Sequence, residues 1–212
     1  MLAWLDYVRF GVTLFSILDP FAAIPLFLLL TQGRSESYKA HTARTAAIAA
    51  FGILVIAAFS GDFVLRLIGA SLAAFQVGGG IVLLLMALAM LNAKLSPQQQ
   101  TPEETDEAGD RDAIAVVPIA MPLLVGPGSI SATIIQMQHG AGFGHQAAVI
   151  GVVLVICSTI WIVLRLAVPI GKRLGRTGLN ILNRIFGLLL AAIAVQIFAN
   201  GLRGLFPVLN GP

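Results

Sequence analysis

The sequence has little charge and almost no cysteine, and each scarcity excludes a class of protein. Only 11% of its 212 residues are charged, against about a quarter in soluble globular domains. Hydrophobic residues make up 58%, and the mean hydropathy is +0.92. Cys157 is the single cysteine and lies in an apolar run, so no disulfide can form within the chain. The composition predicts one integral-membrane domain over residues 1–212, with no separate soluble domain.

Charged and polar clusters divide the chain into six apolar stretches. They cover residues 7–31, 45–60, 67–93, 113–138, 146–164 and 185–202. Whether the second stretch extends past Asp62 and Arg66 stays open. About 20 apolar residues cross the roughly 30 Å hydrocarbon layer, so we expect six transmembrane helices. Strands of a membrane barrel would alternate in polarity, and these stretches do not, which predicts an all-α membrane protein.

The distribution of basic residues predicts the orientation in the membrane. Ten of the 13 lysines and arginines follow the first, third and fifth stretches, and three lie on the opposite side. The ten are Arg34, Lys39, Arg44, Lys94, Arg111, Arg165, Lys172, Arg173, Arg176 and Arg184, and the three are Arg9, Arg66 and Arg203. Basic loops stay in the cytoplasm. We therefore expect a multi-pass protein of the cytoplasmic (inner) membrane with both termini outside.

The two halves of the chain match when one is shifted by 107 residues against the other. The shift superimposes Pro20 on Pro127, Arg66 on Arg173 and Gly80 on Gly187. Each half holds three stretches, an odd number, so the second half is inverted relative to the first. This pattern predicts two inverted three-helix repeats, about 1–93 and about 113–212, as in many secondary transporters. Between them, residues 94–112 carry six acids with glutamines and prolines, which predicts an acidic cytoplasmic linker.

Two apolar stretches carry helix-start signals at their centres. Asp is a good helix N-cap and Pro is favoured at the next position, so Asp19 and Pro20 predict a helix that begins in mid-membrane. Gly126 and Pro127 predict the same in the fourth stretch, where glycines leave the backbone open to a ligand. Transmembrane helices 1 and 4 are therefore expected to be broken at mid-membrane.

The asymmetry of the two breaks predicts a site for a small zwitterion. A helix N-terminus binds anionic groups, so a carboxylate fits the amides of Gly128 and Ser129, while an ammonium fits Asp19. Asp19 is also the candidate coupling site for a proton or Na⁺, with a structural N-cap as its alternative. The candidate substrate-binding residues are Asp19, Pro20, Pro25, Gly126, Pro127, Gly128, Ser129, Ser131 and Gly79. Helix kinking at Pro25 and close helix packing at Gly79 are the favoured alternatives for those two residues.

Enzyme classes lack the residues that they need. An intramembrane serine protease requires a histidine in the membrane, but His41, His139 and His145 are all expected in loops. An aspartyl protease requires two facing carboxylates, but only Asp19 lies deep in an apolar stretch. A metalloprotease requires the pattern H-E-x-x-H, which is absent from the sequence. We expect no enzyme activity, cofactor, metal or nucleic-acid partner. A channel and a homo-oligomer stay open.

Three motifs resemble the MarC family of bacterial and archaeal inner-membrane proteins. They are DPFAAIPLFLLLT from residue 19, GGGIVLLLMALAML from residue 78 and PIAMPLLVGPGSI from residue 118. The resemblance implies a six-span transporter of neutral amino acids such as glycine or alanine, moved with a proton gradient. It implies site positions at Asp19, Pro20, Pro25, Gly126, Pro127, Gly128 and Ser129. Where family members often carry Gly-Asn, this chain has Ala22 and Ala23. A small-solute or drug exporter is the alternative.

Overall fold

The computed structural model describes residues 4–92, 124–206 and 208, and this part of the chain is helical. Its helices are α1 (Trp4–Leu18), α2 (Pro20–Leu30), α3 (Glu36–Leu67), α4 (Leu72–Leu91), α5 (Pro127–Gln138), α6 (Phe143–Arg165) and α7 (Ala167–Leu205). Helix α7 is interrupted at Gly175, whose φ is 59°. The predicted linker 94–112, and residues 113–123 of the predicted fourth span, lie outside the described residues.

Five described stretches are long and apolar enough to cross a membrane. They are Trp4–Leu30, Glu36–Leu67, Leu72–Leu91, Phe143–Arg165 and Thr177–Leu205, and they correspond to five of the six predicted spans. The predicted span over 113–138 is described only from Leu124 onward. The prediction of an all-helical membrane protein is confirmed, whereas the number six stays a prediction.

Local side-chain interactions account for the starts of α3 and α4 and for the length of α3. Ser35 and Ser71 are N-caps, and their hydroxyl oxygens accept hydrogen bonds from the backbone N–H groups of Tyr38 (3.2 Å) and Ala74 (3.1 Å). The sequence left open whether the second span extends past Asp62 and Arg66, and α3 does continue to Leu67. Asp62 and Arg66 form an ion pair of 2.8 Å, one helical turn apart, so the charges do not end the helix.

Glycines bring α4 and α7 into backbone contact. A Cβ added at Gly80 would lie 2.8 Å from the backbone nitrogen of Phe198, and one added at Gly187 would lie 3.1 Å from that of Leu91. Beside these contacts, the two helices share a buried apolar cluster that includes Leu83, Met86, Ala87, Leu190 and Ala194. Small residues let membrane helices approach closely. Close helix packing, the alternative given for Gly79, is therefore observed at Gly80, the last residue of the glycine triplet 78–80.

A second and larger buried cluster joins α1, α2, α3 and α6. Its members include Leu14, Phe27, Leu54, Val153 and Ile160. Large apolar side chains on the outer faces of the same helices are exposed, for example Ile56 and Val155. An apolar exterior around an apolar interior is the arrangement that a lipid environment requires.

We predict opposite effects for alanine at two positions of the glycine triplet. Gly80→Ala places a methyl group against the backbone of Phe198, which cannot yield without shifting a helix, and overpacking of this kind costs about 1–3 kcal/mol. At Gly78 nothing lies within 4 Å of an added Cβ, so Gly78→Ala gains up to about 1 kcal/mol of helix propensity. Unfolding of the purified protein in detergent measures both changes. Equal effects of the two substitutions would contradict the packing assigned to Gly80.

Candidate functional site

Asp19 separates two helices. Helix α1 ends at Leu18 and α2 begins at Pro20, and Asp19 between them has the left-handed values φ 31° and ψ 73°. Its backbone N–H donates to the carbonyl of Phe15 (3.0 Å), and its Oδ1 accepts a bond from the N–H of Ala22 (3.3 Å). The residue is only 4% exposed. Capping occupies one carboxylate oxygen; within the described part of the chain, the buried Oδ2 has no hydrogen-bond partner.

Three aromatic rings bridge this interruption to α7. Phe15 and Phe21 lie on the two sides of Asp19, with ring centroids 6.2 Å apart, and both contact Phe186 of α7. Phe21 stacks on Phe186 with an interplanar angle of 7°. The rings hold α2 against α7 at the point where α1 stops. The sequence analysis missed Phe186, since no local signal links it to residues more than 160 positions away.

The second helix start lies at Gly126 and Pro127. Gly126 is the N-cap of α5 and has no side chain with which to cap the first turn, and Pro127 occupies the first helical position. Ser129 is wholly buried, and its hydroxyl donates to the carbonyl of Gly126 at 2.9 Å. The two N-caps therefore differ. Asp19 supplies a carboxylate to the start of α2, whereas Gly126 supplies no side-chain acceptor to the start of α5.

The start of α5 packs against the end of α1. A Cβ added at Gly128 would lie 3.5 Å from Cγ2 of Ile17, two residues before Asp19. It would also lie 2.7 Å from Cδ2 of Leu83 and 2.9 Å from the sulfur of Met86. The side chains of Leu83 and Met86 would therefore have to shift to admit a Cβ at Gly128, and the start of α5 lies against the last turn of α1, which ends next to Asp19.

Two further candidate residues, Gly79 and Ser131, contact each other, whereas two of the candidate prolines are exposed. A Cβ added at Gly79 would lie 3.1 Å from the Cβ of Ser131, so these two predicted residues face each other across α4 and α5. Pro20 is buried as the first residue of α2. Pro25 and Pro127 are exposed, so the structure does not bring them into the buried interface.

A histidine network at the far end of α5 corrects one prediction. His41 and His145 were expected in loops, but His41 lies in α3 and His145 in the first turn of α6, where it is 7% exposed. The Nδ1 atom of His145 lies 2.9 Å from the Tyr7 hydroxyl, and its Nε2 lies 3.0 Å from the carbonyl of Gln136. The loop prediction was wrong because α3 and α6 begin at Glu36 and Phe143, before the apolar stretches predicted at 45 and 146, and because Tyr7, 138 positions away, bonds the His145 ring.

This network ties three helices together. Since a carbonyl only accepts hydrogen bonds, Nε2 of His145 carries the proton and donates to Gln136, and Nδ1 of the neutral ring accepts a hydrogen bond from the Tyr7 hydroxyl. Beside it, Nε2 of Gln76 lies 3.2 Å from Nε2 of His139, the residue that ends α5. Gln76 of α4 thus joins α4 to the end of α5.

Comparison with known proteins gives one consistent result. A model of the MarC family of integral membrane proteins matches residues 4–206. The UPF0056 membrane protein MJ1677 of Methanocaldococcus jannaschii is 38% identical over 91% of this chain and 93% of its own. YvbG of Bacillus subtilis is 37% identical (96% and 97% of the two chains), and YhcE of Escherichia coli is 33% identical (95% and 94%). No solved structure matches the chain.

We predict that two substitutions of Asp19 separate its capping role from its charge. Asp19→Asn keeps an oxygen acceptor for the Ala22 N–H, and asparagine tolerates the left-handed conformation, so we expect the unfolding free energy to change by less than about 0.5 kcal/mol. Asp19→Ala removes the acceptor and should cost about 1 kcal/mol. Ser71→Ala, which removes the cap of α4, calibrates a simple cap loss in the same unfolding assay. Equal losses for the Asn and Ala variants would contradict this assignment.

We also predict that the stability depends on pH through His139. Partial burial, together with the neighbouring His145, holds the pKa of His139 below its usual range, while Asp6 acts in the opposite direction. The folded protein then resists a protonation that the unfolded chain accepts near its ordinary pKa of about 6.5. Stability should be constant above that pH and fall as the pH is lowered from there to the folded-state pKa. His139→Gln should flatten this fall in thermal unfolding curves; an unchanged pH profile would assign it to other groups.

Proposed function

Because this chain belongs to the MarC family of integral membrane proteins, we propose that it is a secondary transporter of small neutral amino acids, of the glycine and alanine type. It works by alternating access around a site between the starts of α2 and α5. The observation that carries the proposal is the contact between the start of α5 and the last turn of α1, which ends at the buried carboxylate of Asp19. Interrupted helices in corresponding halves of a membrane chain are typical of transporter binding sites.

Helix boundaries support a fold of two inverted repeats with interrupted first helices. The shift of 107 residues that aligns the sequence halves also relates the starts of α2 and α5, at Pro20 and Pro127. The same shift relates the starts of α3 and α6, at Glu36 and Phe143. Two independent pairs of helix starts in one register favour a common three-helix unit.

A reciprocal contact supports a two-fold relation between those units. Gly80 approaches Phe198, and Gly187 approaches Leu91. The shift of 107 residues converts Gly80 into Gly187 and Leu91 into Phe198, so an exchange of the two halves turns one contact into the other. A two-fold axis in the membrane plane produces this exchange in inverted repeats.

The chemistry of the two caps suits a zwitterion. Oδ2 of Asp19 has no hydrogen-bond partner among the described residues, which makes it a buried acceptor for an ammonium group, and a buried carboxylate is costly without a partner. Within the described part of the chain, no side chain caps the start of α5 and no acidic residue lies in its first turn, so the positive end of the helix dipole favours a substrate carboxylate. The small residues Gly79, Gly128 and Ser131 at the same interface limit the substrate to a small one.

Asp19 also fits the role of coupling group, with a proton or Na⁺ as the coupling ion. Asp19 and Ser129 are both buried, at 4% and 0% exposure, which fits a closed intermediate of an alternating-access cycle. Neutralisation by a proton, by Na⁺ or by a substrate ammonium stabilises the carboxylate in this surrounding. The excess of basic residues at the α2–α3 and α6–α7 connections favours a cytoplasmic position for them, with both termini outside the inner membrane.

The test is uptake of labelled glycine and alanine into proteoliposomes, with and without a pH or Na⁺ gradient. We predict that Asp19→Asn abolishes gradient-driven uptake while the protein stays folded, because the amide cannot carry the charge. Asp62→Asn removes a carboxylate that is paired with Arg66 on the exterior of α3 and should leave uptake within about twofold of the wild type. Full uptake by Asp19→Asn would reduce Asp19 to a helix cap. Failure of every small amino acid to enter would reject the substrate class and direct the search to a larger exported solute or to a channel current.

A further inference from the structure

An apolar groove runs along the outer seam between α3 and α6, away from the two helix starts. It is lined by Ala47, Ile48 and Phe51 of α3 and by Leu154, Cys157 and Trp161 of α6, and its volume is about 250 Å³. With Arg44 included, the lining residues of each helix span seven residue steps, 44–51 and 154–161, or about 10 Å along the axis. The rims of the groove are open, since Ile48 is 57% and Leu154 is 52% exposed. The groove therefore faces the lipid.

The same seam becomes charged toward the start of α3 and the end of α6. Arg44 lines the groove at this end. One turn further on lies a second, smaller pocket of about 130 Å³, whose lining includes Glu36, Lys39 and Arg165. The guanidinium of Arg165 lies 5.7 Å above the ring of Trp161. Arginine and tryptophan thus mark the level at which the apolar groove ends, as they do at a membrane–water boundary.

The charged end carries a surplus of positive charge. Lys39 is compensated by Glu36, with which it forms an ion pair of 2.8 Å. Among the described ion pairs, none includes Arg44 or Arg165, and both residues are exposed. Two arginines therefore remain to attract an anion at the mouth of an apolar groove.

We propose that this seam is a binding site for one anionic phospholipid, independent of the transport proposal. The phosphate lies between Arg44 and Arg165, and one acyl chain lies in the groove over Phe51 and Trp161. Basic pockets between transmembrane helices select anionic lipid headgroups in this way. An apolar helix face alone would contact any lipid, so the signature of the site is preference for the headgroup.

Tryptophan fluorescence tests the proposal directly, because Trp161 lines the groove and Trp4 is the only other tryptophan. In a Trp4→Phe background, Trp161 reports alone. Brominated acyl chains quench tryptophan on contact, so the protein is reconstituted in phosphatidylcholine with increasing fractions of brominated phosphatidylglycerol, or of brominated phosphatidylcholine or phosphatidylethanolamine. Half-quenching should need about fivefold less brominated phosphatidylglycerol than either zwitterionic lipid, at an attraction of one effective charge.

Substitutions assign the preference to the arginines. Arg44→Gln should reduce the preference for phosphatidylglycerol severalfold, and Arg44→Lys should keep most of it. Arg184→Gln is the matched control, because Arg184 is an exposed arginine on α7 that does not line the seam, and it should leave quenching unchanged. Salt should weaken the preference of the unsubstituted protein.

Three outcomes would overturn the proposal. Equal quenching by all three lipids would make the groove an ordinary lipid-facing surface. Preference for phosphatidylethanolamine would assign the headgroup contact to Glu36 and its neighbours and reject an anionic ligand. Absence of quenching by any lipid, with cross-linking between two copies through the seam, would identify a second copy of this chain as the occupant.

Discussion

Backbone groups that leave helical geometry inside hydrocarbon have to be bonded within the protein, and this constraint at Asp19 organises the structure around it. The chain meets the constraint twice over, since the Asp19 N–H still reaches the carbonyl of Phe15 and the carboxylate bonds the first turn of α2. A carboxylate in this place is stable only if lipid is excluded. The end of α1 therefore has to be covered from two sides, by Phe186 of α7 and by the start of α5 near Ile17.

Covering the interruption depends on glycines, because close contact rather than water exclusion holds helices together in lipid. Gly128 admits α5 beneath Leu83 and Met86, and Gly80 and Gly187 lock α4 to α7 at backbone distance. A Cβ at Gly80 or Gly187 would force a helix outward, whereas one at Gly128 would displace the side chains of Leu83 and Met86. The depth of Asp19 is thus set by residues on three other helices, α4, α5 and α7, and the polar site and the glycine packing form a single structural unit.

Local signals in the sequence predicted where helices begin and which stretches span the membrane, but they did not predict contacts between distant residues. Helices begin at Pro20 and Pro127 because Asp-Pro and Gly-Pro encode a cap and a first turn in adjacent residues. The apolar stretches predicted five described spans for the same local reason. His145 was placed in a loop because polarity was judged without knowledge of Tyr7. The groove along α3 and α6 could not be predicted either, since it exists only when those two helices are paired.

The packing also limits how a solute can reach Asp19. Ser129 is completely buried and Gly128 is held under Leu83 and Met86, so access requires the start of α5 to separate from α1 or from α4. The opposite end of α5 is held by the bond between the Gln136 carbonyl and His145, and His145 in turn meets Tyr7 of α1. Among the described residues, α5 forms hydrogen bonds to neighbouring helices only at this end, so in the transporter proposed above its start would move by pivoting about that end. Helices α4 and α7, which are in backbone contact along the Gly80 and Gly187 seam, would move together as one body, and the proposed site would open along α5.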